Sequence, residues 1–325
     1  MGSVTQNGVA LVGFGTHMRG VLLPVLRYLE VPVLGVMTRH PDRIRQKAFA
    51  VGIHRVTDSL AELRSIPGVE ALVVCAGAEA HLEIIHQILP WRLPLFVEKP
   101  VGKKIEDLSS TLEKCSADSS PVMVGFQKRF VPCYLQTATL VRENRIGRPV
   151  HLDYSFQVGA LDEPHDFLLE VGIHALDLIR FFLGDVRVLS IIRRQPLNKS
   201  HYIVLFENLA GVTATLRMGE MGDWRRPNER LEVIGTGHRI SVENLVKFQW
   251  QKPFGGQGGF PDTDAVGNLH WSPNFTVPFR ENLSLFQQGY VGELEHFMTY
   301  VRAGKWPRPD LADMLEALRL IELIR

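Results

Sequence analysis

Short apolar runs and amphipathic stretches alternate through the first third of the chain. The apolar runs have the length of buried strands and cover residues 9–12, 31–36, 71–75 and 95–97. The stretches between them carry apolar residues at helical spacing, over residues 18–28, 41–51 and 79–89. Strands that alternate with helices predict a parallel, doubly wound α/β sheet.

The pattern changes beyond residue 122. Strand-like runs now follow one another directly, over residues 149–157, 186–193, 201–206, 211–218, 230–235 and 239–242. Strands without helices between them predict a large, mostly antiparallel open sheet, and a strand is also expected at 124–126. Helices are predicted at 134–144, 168–183, 285–303 and 311–324, with a Gly- and Pro-rich loop over 251–278. The fold class is therefore α/β plus α+β, with one domain at residues 1–122 and a second at 123–325, whose C-terminal helix can pack back on the first domain.

The composition of the chain argues against several classes of function. The chain has 325 residues, 45% of them hydrophobic, and a formal net charge of +1, which argues against nucleic-acid and membrane-surface partners. The spacing of Cys75, Cys115 and Cys133 fits neither a disulfide framework nor a zinc site, so a reducing, cytoplasmic setting is expected. The sequence shows no apolar run of membrane-spanning length and no signal-peptide pattern.

A glycine turn stands at the first junction between a predicted strand and a predicted helix. Gly13, Phe14 and Gly15 form it, and Thr16, His17 and Met18 open the helix. In a dinucleotide fingerprint the first glycine permits a tight turn, and the second lets the backbone approach a pyrophosphate at the helix N-terminus. Met18 departs from the small third residue of that pattern. An ordinary strand-to-helix turn is the alternative interpretation.

The end of the second predicted strand bears on the cofactor. An acid there would bind the ribose 2′-hydroxyl of NAD, but no acid occurs before Asp42. Thr38 can donate a hydrogen bond, and the Arg39 guanidinium suits a 2′-phosphate. NADP is therefore the preferred cofactor and NAD remains possible, because Arg39 could equally be a solvated surface residue.

Two groups of residues are candidates for catalytic roles. Lys99 follows a strand within Glu98-Lys99-Pro100, at the sheet edge where open α/β folds bind ligands, although a surface lysine is the alternative. Glu170, His174 and Asp177 stand at helical spacing that predicts one shared face. His174 can act as a general acid–base, or it can be a core histidine satisfied by Asp177. No further His or Cys completes a metal site, so none is predicted.

The order of these motifs resembles the glucose–fructose oxidoreductase / inositol dehydrogenase / MocA family. The resemblance covers nearly the whole chain and rests on the glycine turn and on six further segments. These segments are Glu98-Lys99-Pro100, Gly125-Phe126-Gln127-Lys128-Arg129-Phe130, Ile146-Gly147-Arg148-Pro149, the Glu170/His174/Asp177 helix, and the C-terminal stretches Gly292-Glu293-Leu294 and Trp306-Pro307.

The resemblance implies a Rossmann domain, a second α/β domain that often supports oligomers, and residue roles. Lys99, His174 and Glu170 are implied as catalytic, with Glu170 standing where many members carry aspartate. The further cofactor-binding residues implied beside the glycine turn are Thr38, Arg39, Cys75, Ala76, His81, Glu98, Lys99 and Arg129. The substrate residues expected are Lys99, Gln127, Glu170, His174 and Trp224. Aromatics of the 251–274 loop, such as Phe254 and Phe260, could stack on a sugar ring, although simple loop packing or subunit contact is the slightly favoured alternative for them and for Trp224. Ala76-Gly77-Ala78 replaces the family's Thr-Pro-Asn run.

The implied activity is NAD(P)-dependent hydride transfer on a carbinol or carbonyl carbon of a sugar, cyclitol or related small molecule. Reduction of an imine or enone, or glycoside cleavage assisted by bound NAD, is an alternative enzyme activity. A non-catalytic NAD(P)-sensing protein is an alternative of another class, against which the presence of Lys99 and His174 argues. A homodimer or homotetramer is expected.

Overall fold

The computed structural model describes residues 7–115, 119–160, 165–226, 228–253 and 268–325. By their contacts the residues form two units, one of Met1–Gln127 with Tyr290–Arg319 and one of Lys128–Gly289 with Leu320–Arg325. The expected division after residue 122 differs from this one in two places, because residues 123–127 and the segment Tyr290–Arg319 group with the first unit.

The first unit contains a six-stranded, wholly parallel sheet with the order β3-β2-β1-β4-β5-β6. Its strands are β1 Gly8–Val12, β2 Val33–Met37, β3 Val56–Thr57, β4 Val69–Val74, β5 Leu95–Glu98 and β6 Val122–Gly125. β1 and β5 are buried along their length and β4 is buried from Ala71 to Val74, as their continuous apolar runs require. The predicted doubly wound sheet is confirmed.

The second unit contains an eight-stranded sheet with the order β14-β13-β12-β11-β7-β10-β9-β8. Its strands are β7 Pro149–Gln157, β8 Val186–Arg194, β9 His201–Asn208, β10 Thr213–Gly219, β11 Asn228–Gly235, β12 His238–Glu243, β13 Lys247–Gln251 and β14 Leu269–Trp271. The β7–β10 pair is parallel and the other pairs are antiparallel. The predicted, mostly antiparallel sheet is confirmed as well.

The α-helices, in chain order, are α1 Leu23–Tyr28, α2 Pro41–Phe49, α3 Leu60–Ser65, α4 Ala78–Ile88, α5 Ile105–Glu113, α6 Pro132–Arg142, α7 Ile173–Leu183, α8 Ser284–Gln287, α9 Tyr290–Arg302 and α10 Leu311–Ile324. Wide π-helical turns precede two of them, Met18–Leu22 before α1 and Leu168–Gly172 before α7. Within the described ranges, no helix has both the length and the apolar character needed to cross a membrane.

Two sequence expectations need correction, and a third cannot be compared with the structure. The single helix expected over 285–303 is two helices, because Gly289 adopts a left-handed φ of 92° between α8 and α9. The expected 251–278 loop contains strand β14, which pairs with β13. Residues 254–267, with Phe254 and Phe260, lie outside the described residues.

Candidate active site

The strand order of the first unit marks where a ligand can bind. The chain runs outward from β1 through β2 to β3 on one side, and from β4 through β5 to β6 on the other. In open α/β sheets the carboxyl ends of the two strands at such a reversal flank a ligand crevice. The glycine turn follows β1, and Cys75 and Ala76 follow β4. The candidate nucleotide site therefore lies at these two strand ends.

Gly13 and Gly15 are glycines for different reasons. Gly13 has a φ of 89°, and a Cβ there would lie 2.1 Å from the Cys75 carbonyl oxygen. Both the backbone conformation and this clash require glycine at the position. A Cβ on Gly15 would meet no protein atom within 4 Å. The fold therefore leaves open space at Gly15, as close approach of a ligand pyrophosphate requires. These residues fit a dinucleotide.

The side chains around this turn divide into buried and exposed groups. Phe14 and Met18 are buried in the core, so only their backbone is available to a cofactor. Thr16 is exposed. The Met18 side chain is thus part of the core, and the expected contact of this residue with a cofactor stays a prediction for its backbone.

Thr38 and Arg39 follow β2, the neighbour of β1. The Thr38 amide donates to the Thr57 carbonyl oxygen at 3.0 Å, while Arg39 is exposed. The nearest acid along the chain, Asp42, is in the first turn of α2 and lies 3.6 Å from Arg45 Nη2. This strand end therefore presents a cation and a hydroxyl.

His81 joins the turns that follow β4 and β5. Its Nε2 accepts from the Ala76 amide at 2.8 Å, and its Nδ1 lies 2.9 Å from the Pro100 carbonyl oxygen. The residue is fully buried. His81 was expected to bind the cofactor, but both ring nitrogens are already used by the protein's own backbone.

Cys75, beside this bridge, is not a reactive thiolate. Burial, and to a lesser degree the charge of Glu98, raises the pKa of its thiol to about 12. The thiol is therefore protonated at neutral pH, which argues against a role as nucleophile.

Glu98 and Lys99 stand at the end of β5. The buried Glu98 carboxylate lies 3.0 Å from His17 Nε2, and the His17 ring meets Tyr290 edge-on at 5.6 Å. Burial, followed by the charges of Glu98 and Glu293, raises the pKa of Tyr290. Glu98 thus anchors the helix that follows the glycine turn, and Lys99 is half-buried directly after it. The contribution of Tyr290 was missed, since nothing in its sequence context indicates this contact.

The second unit holds the His174 helix. Arg129 makes a bidentate pair with Asp177, from Nε to Oδ2 at 2.8 Å and from Nη2 to Oδ1 at 2.6 Å. His174 and Asp177 are buried, whereas Glu170 is exposed. Glu170 lies in the π-helical turn and not in α7, so its predicted place on one face with His174 stays a prediction.

A buried network missed by the sequence analysis holds the neighbouring turn. Lys128 Nζ lies 2.5 Å from Glu229 Oε2, and Tyr134 and Tyr154 each donate to Glu229 Oε1 at 2.6 Å. Burial, followed by the charge of Glu229, raises the pKa values of both tyrosines. With every carboxylate oxygen bonded, the network fixes the start of the segment that carries Arg129.

The remaining expected substrate residues have different environments. Gln127 is half-buried and is the last residue of the first unit. Trp224 is 48% exposed, with its indole against Gly159 and its Nε1 donating to the Ala160 carbonyl oxygen at 2.9 Å. Its ring is therefore held in place while remaining accessible. The part of the chain that the structure describes contains no His, Cys, Asp and Glu cluster suited to a metal ion.

Comparison with known proteins gives consistent matches. A family described as an oxidoreductase family with an NAD-binding Rossmann fold matches residues 8–126. The scyllo-inositol 2-dehydrogenase (NAD(+)) of Bacillus subtilis (strain 168) is 26% identical over 286 residues, covering 82% of this chain and 77% of that protein. The D-apiose dehydrogenase of Rhizobium rhizogenes is 22% identical over 307 residues, covering 89% of this chain and 86% of that protein.

The fold comparison extends over both units. The crystal structure of a dehydrogenase from Chromobacterium violaceum matches with a TM-score of 0.85 and 21% identity, covering 99% of this chain and 95% of that one. At this level of identity the likeness concerns the fold. The chain is thus similar to NAD-binding oxidoreductases along its length, and its residues 8–126 match the Rossmann domain of the glucose–fructose oxidoreductase / inositol dehydrogenase / MocA family.

Proposed function

We propose that this protein is an NAD(P)-dependent dehydrogenase acting on an alcohol carbon of a sugar, a cyclitol or a related polyhydroxylated small molecule. The observation that carries the proposal is the glycine turn at the reversal of strand order, with open space at Gly15. The named activities of relatives, an inositol dehydrogenase and an apiose dehydrogenase, support the substrate class. The bound nicotinamide would supply the hydride acceptor or donor.

The chain's own residues would bind and orient the two reactants. The backbone at Gly13–Gly15 and the following helix N-terminus would hold the pyrophosphate. Lys99, half-buried at the end of β5, would donate to the reacting oxygen and stabilise negative charge on it. His174 on α7 would take or give the hydroxyl proton, and the exposed Glu170 would accept a hydrogen bond from a substrate hydroxyl.

We propose NADP as the preferred form of the cofactor. The exposed Arg39 guanidinium and the half-buried Thr38 follow β2, where a ribose-binding acid would otherwise stand. A 2′-phosphate would gain a bidentate, charge-assisted contact with Arg39, while the 2′-hydroxyl of NAD would gain less. NAD remains a cofactor that the site can bind.

The decisive experiment titrates the protein with NADPH and NADH and then follows nicotinamide absorbance across a panel of polyols and carbonyl compounds. Lys99→Ala and His174→Ala should each lower kcat by about 10²–10³-fold while the protein stays folded. Lys103→Ala is the matched control, since Lys103 is exposed and pairs with Glu79 at 3.2 Å. No binding of either nucleotide, or unchanged turnover in both active-site variants, would refute the proposal.

We also propose that the protein forms a homodimer or homotetramer. Strand β8, at the edge of the second sheet, exposes Leu189, Ile191 and Ile192, and this apolar surface suits a second copy of the chain. Sedimentation analysis of Ile191→Asp should show a shift toward monomer. A monomeric wild-type protein at micromolar concentration would contradict the proposal.

We propose a cytoplasmic location because the three cysteines form no disulfide. Cys75, Cys115 and Cys133 are all free. Free thiols persist in reducing compartments. Fractionation of cells that express the protein tests this location, and recovery from an oxidising compartment would contradict it.

A further inference from the structure

His81 joins two backbone segments of the first unit through its imidazole ring. It is the fourth residue of α4, is fully buried, and uses each ring nitrogen on a different backbone segment. The Ala76 amide donates to Nε2 at 2.8 Å. Because Nε2 accepts, the ring proton must lie on Nδ1, which donates to the Pro100 carbonyl oxygen at 2.9 Å.

The surroundings keep this ring neutral. Burial lowers the pKa of His81, and the hydrogen bond to Pro100 and the nearby Glu98 charge oppose that effect only in part. A neutral imidazole in one fixed tautomer donates in one direction and accepts in the other. An imidazolium could not accept from Ala76, so protonation would break the bridge on that side.

The two segments that the ring joins are functionally distinct in the proposed reaction. Ala76 follows β4 and flanks the ligand crevice opposite the glycine turn. Pro100 is the residue directly after Lys99. A second link between the same two segments runs from the Gly102 amide to the Ala78 carbonyl oxygen at 3.0 Å. The cofactor-side turn and the lysine turn are therefore bonded to each other.

We propose that His81 is a positioning residue that sets Lys99 relative to the bound nicotinamide cofactor. This inference rests on the proposed function. The ring does not touch the ligand. It fixes the Ala76 turn through Nε2 and the Lys99-Pro100 turn through Nδ1, so the two turns shift together. A displacement of about 1 Å between reacting groups can cost on the order of 10²-fold in rate.

Two substitutions separate the two bonds. His81→Asn can retain a donor near the Nδ1 position and loses the acceptor for Ala76. His81→Gln can retain an acceptor near the Nε2 position and loses the bond to Pro100. His86→Gln is the matched control, because His86 lies on the same helix and bonds Thr111 Oγ1 at 2.8 Å, away from both turns.

The two variants are expected to affect different quantities, one the affinity for NADPH and the other kcat. His81→Asn should weaken NADPH binding by about tenfold with a smaller change in kcat, since about tenfold is the upper end of the net value of one neutral hydrogen bond. His81→Gln should lower kcat by about 10–100-fold and leave NADPH affinity close to that of the wild type. His86→Gln should change neither quantity. A role confined to stability would produce no such split, so equal behaviour of the two His81 variants would overturn the proposal.

Two measurements on cofactor-free protein keep this test independent of the proposed activity. Histidine ¹⁵N spectra at neutral pH should show His81 as the neutral, Nδ1-protonated tautomer. Amide hydrogen exchange of Ala76 should quicken in His81→Asn and not in His86→Gln. The other tautomer, an imidazolium, or unchanged exchange would overturn the positioning role even if the enzyme proves active. If the tautomer and the exchange rates are as expected but the wild-type protein binds neither nucleotide, the proposed function is refuted. His81 would then only join the two turns.

Discussion

The Arg129 guanidinium and the Asp177 carboxylate form two parallel hydrogen bonds, 2.8 Å and 2.6 Å long. Asp177 is almost fully buried and lies three residues after His174 on α7. Arg129 was expected to contact the cofactor. In the structure its guanidinium is committed to the helix that carries the candidate catalytic histidine, so it holds that helix in place.

Substitutions at this pair should affect the helix more than cofactor binding. We expect Asp177→Asn to lower the free energy of unfolding by about 3–5 kcal/mol, because Arg129 would remain without its counter-charge. Arg129→Lys should cost less, since it keeps the charge but loses the planar fork. Urea denaturation measures both effects. A large loss of NADPH affinity in Arg129→Lys alone would instead indicate direct contact with the cofactor.

The Lys128–Glu229 network should behave as one unit. Either Lys128→Met or Glu229→Gln should destabilise the protein by about 3–5 kcal/mol, because each leaves a buried charge or polar group unpaired. The double variant should be more stable than the sum of the single losses predicts. A double-mutant cycle by urea denaturation measures this coupling. Additive losses would show that the two side chains act independently.

Cofactor selectivity depends on Arg39 in our proposal. Arg39→Ala should reduce NADPH affinity by about 10–100-fold, the value of one charge-assisted contact, and leave NADH affinity nearly unchanged. Arg43→Ala is the control, since Arg43 is likewise exposed but lies within α2. Fluorescence titration of both nucleotides measures the result. Equal losses for NADPH and NADH, or a wild type that prefers NADH, would contradict the NADP assignment.

The cysteines should react slowly with alkylating reagents. Burial raises the pKa values of Cys75 and Cys133 to about 12 and also raises the pKa of Cys115. At pH 8 a thiol of pKa about 12 is ionised in roughly one molecule in ten thousand. Iodoacetamide labelling followed by mass spectrometry should be slow in the native state and rapid in urea. Rapid native labelling of Cys75 would contradict its raised pKa.

Stability should fall on mild acidification. Burial lowers the pKa values of His81 and His296 below the value of 6.5 taken for the unfolded chain. Below pH 6.5 the unfolded state therefore binds protons that the folded state does not, and each histidine contributes a slope of up to about 1.4 kcal/mol per pH unit. This stabilisation is fully present above pH 6.5. Urea denaturation between pH 7.5 and 5.5 should show the loss, and His81→Gln should reduce it. An unchanged slope in that variant would assign the effect to other groups.

The sequence predicted the features that depend on local pattern. The alternation of apolar runs and helices indicated the parallel sheet, and Gly13, Gly15 and Lys99 were placed at its ligand-binding edge by strand position alone. Two short elements were not predicted, since the two residues of β3 and the six of α3 are too few to show a periodic pattern. The Ser59 cap that accepts from the Glu62 amide was an available signal for α3.

Contacts between distant segments could not be predicted. The partners Lys128 and Glu229 lie 101 residues apart, and His17 and Glu98 lie 81 residues apart. No pattern in one sequence pairs such residues. Nor did the spacing of Glu170 and His174 reveal the π-helical turn, since apolar periodicity over a few residues hardly distinguishes a wide turn from an α-helical one.

That wide turn, Leu168–Gly172, has a consequence for comparison among relatives and for protein engineering. Each α-helical residue adds about 100° of rotation, so removing one residue from this segment would turn everything before it by that angle relative to α7. An alignment that places an acid four positions ahead of the histidine can thus equate side chains that point in different directions. Transplanting this segment into a homologue would require carrying its extra residue along with the glutamate.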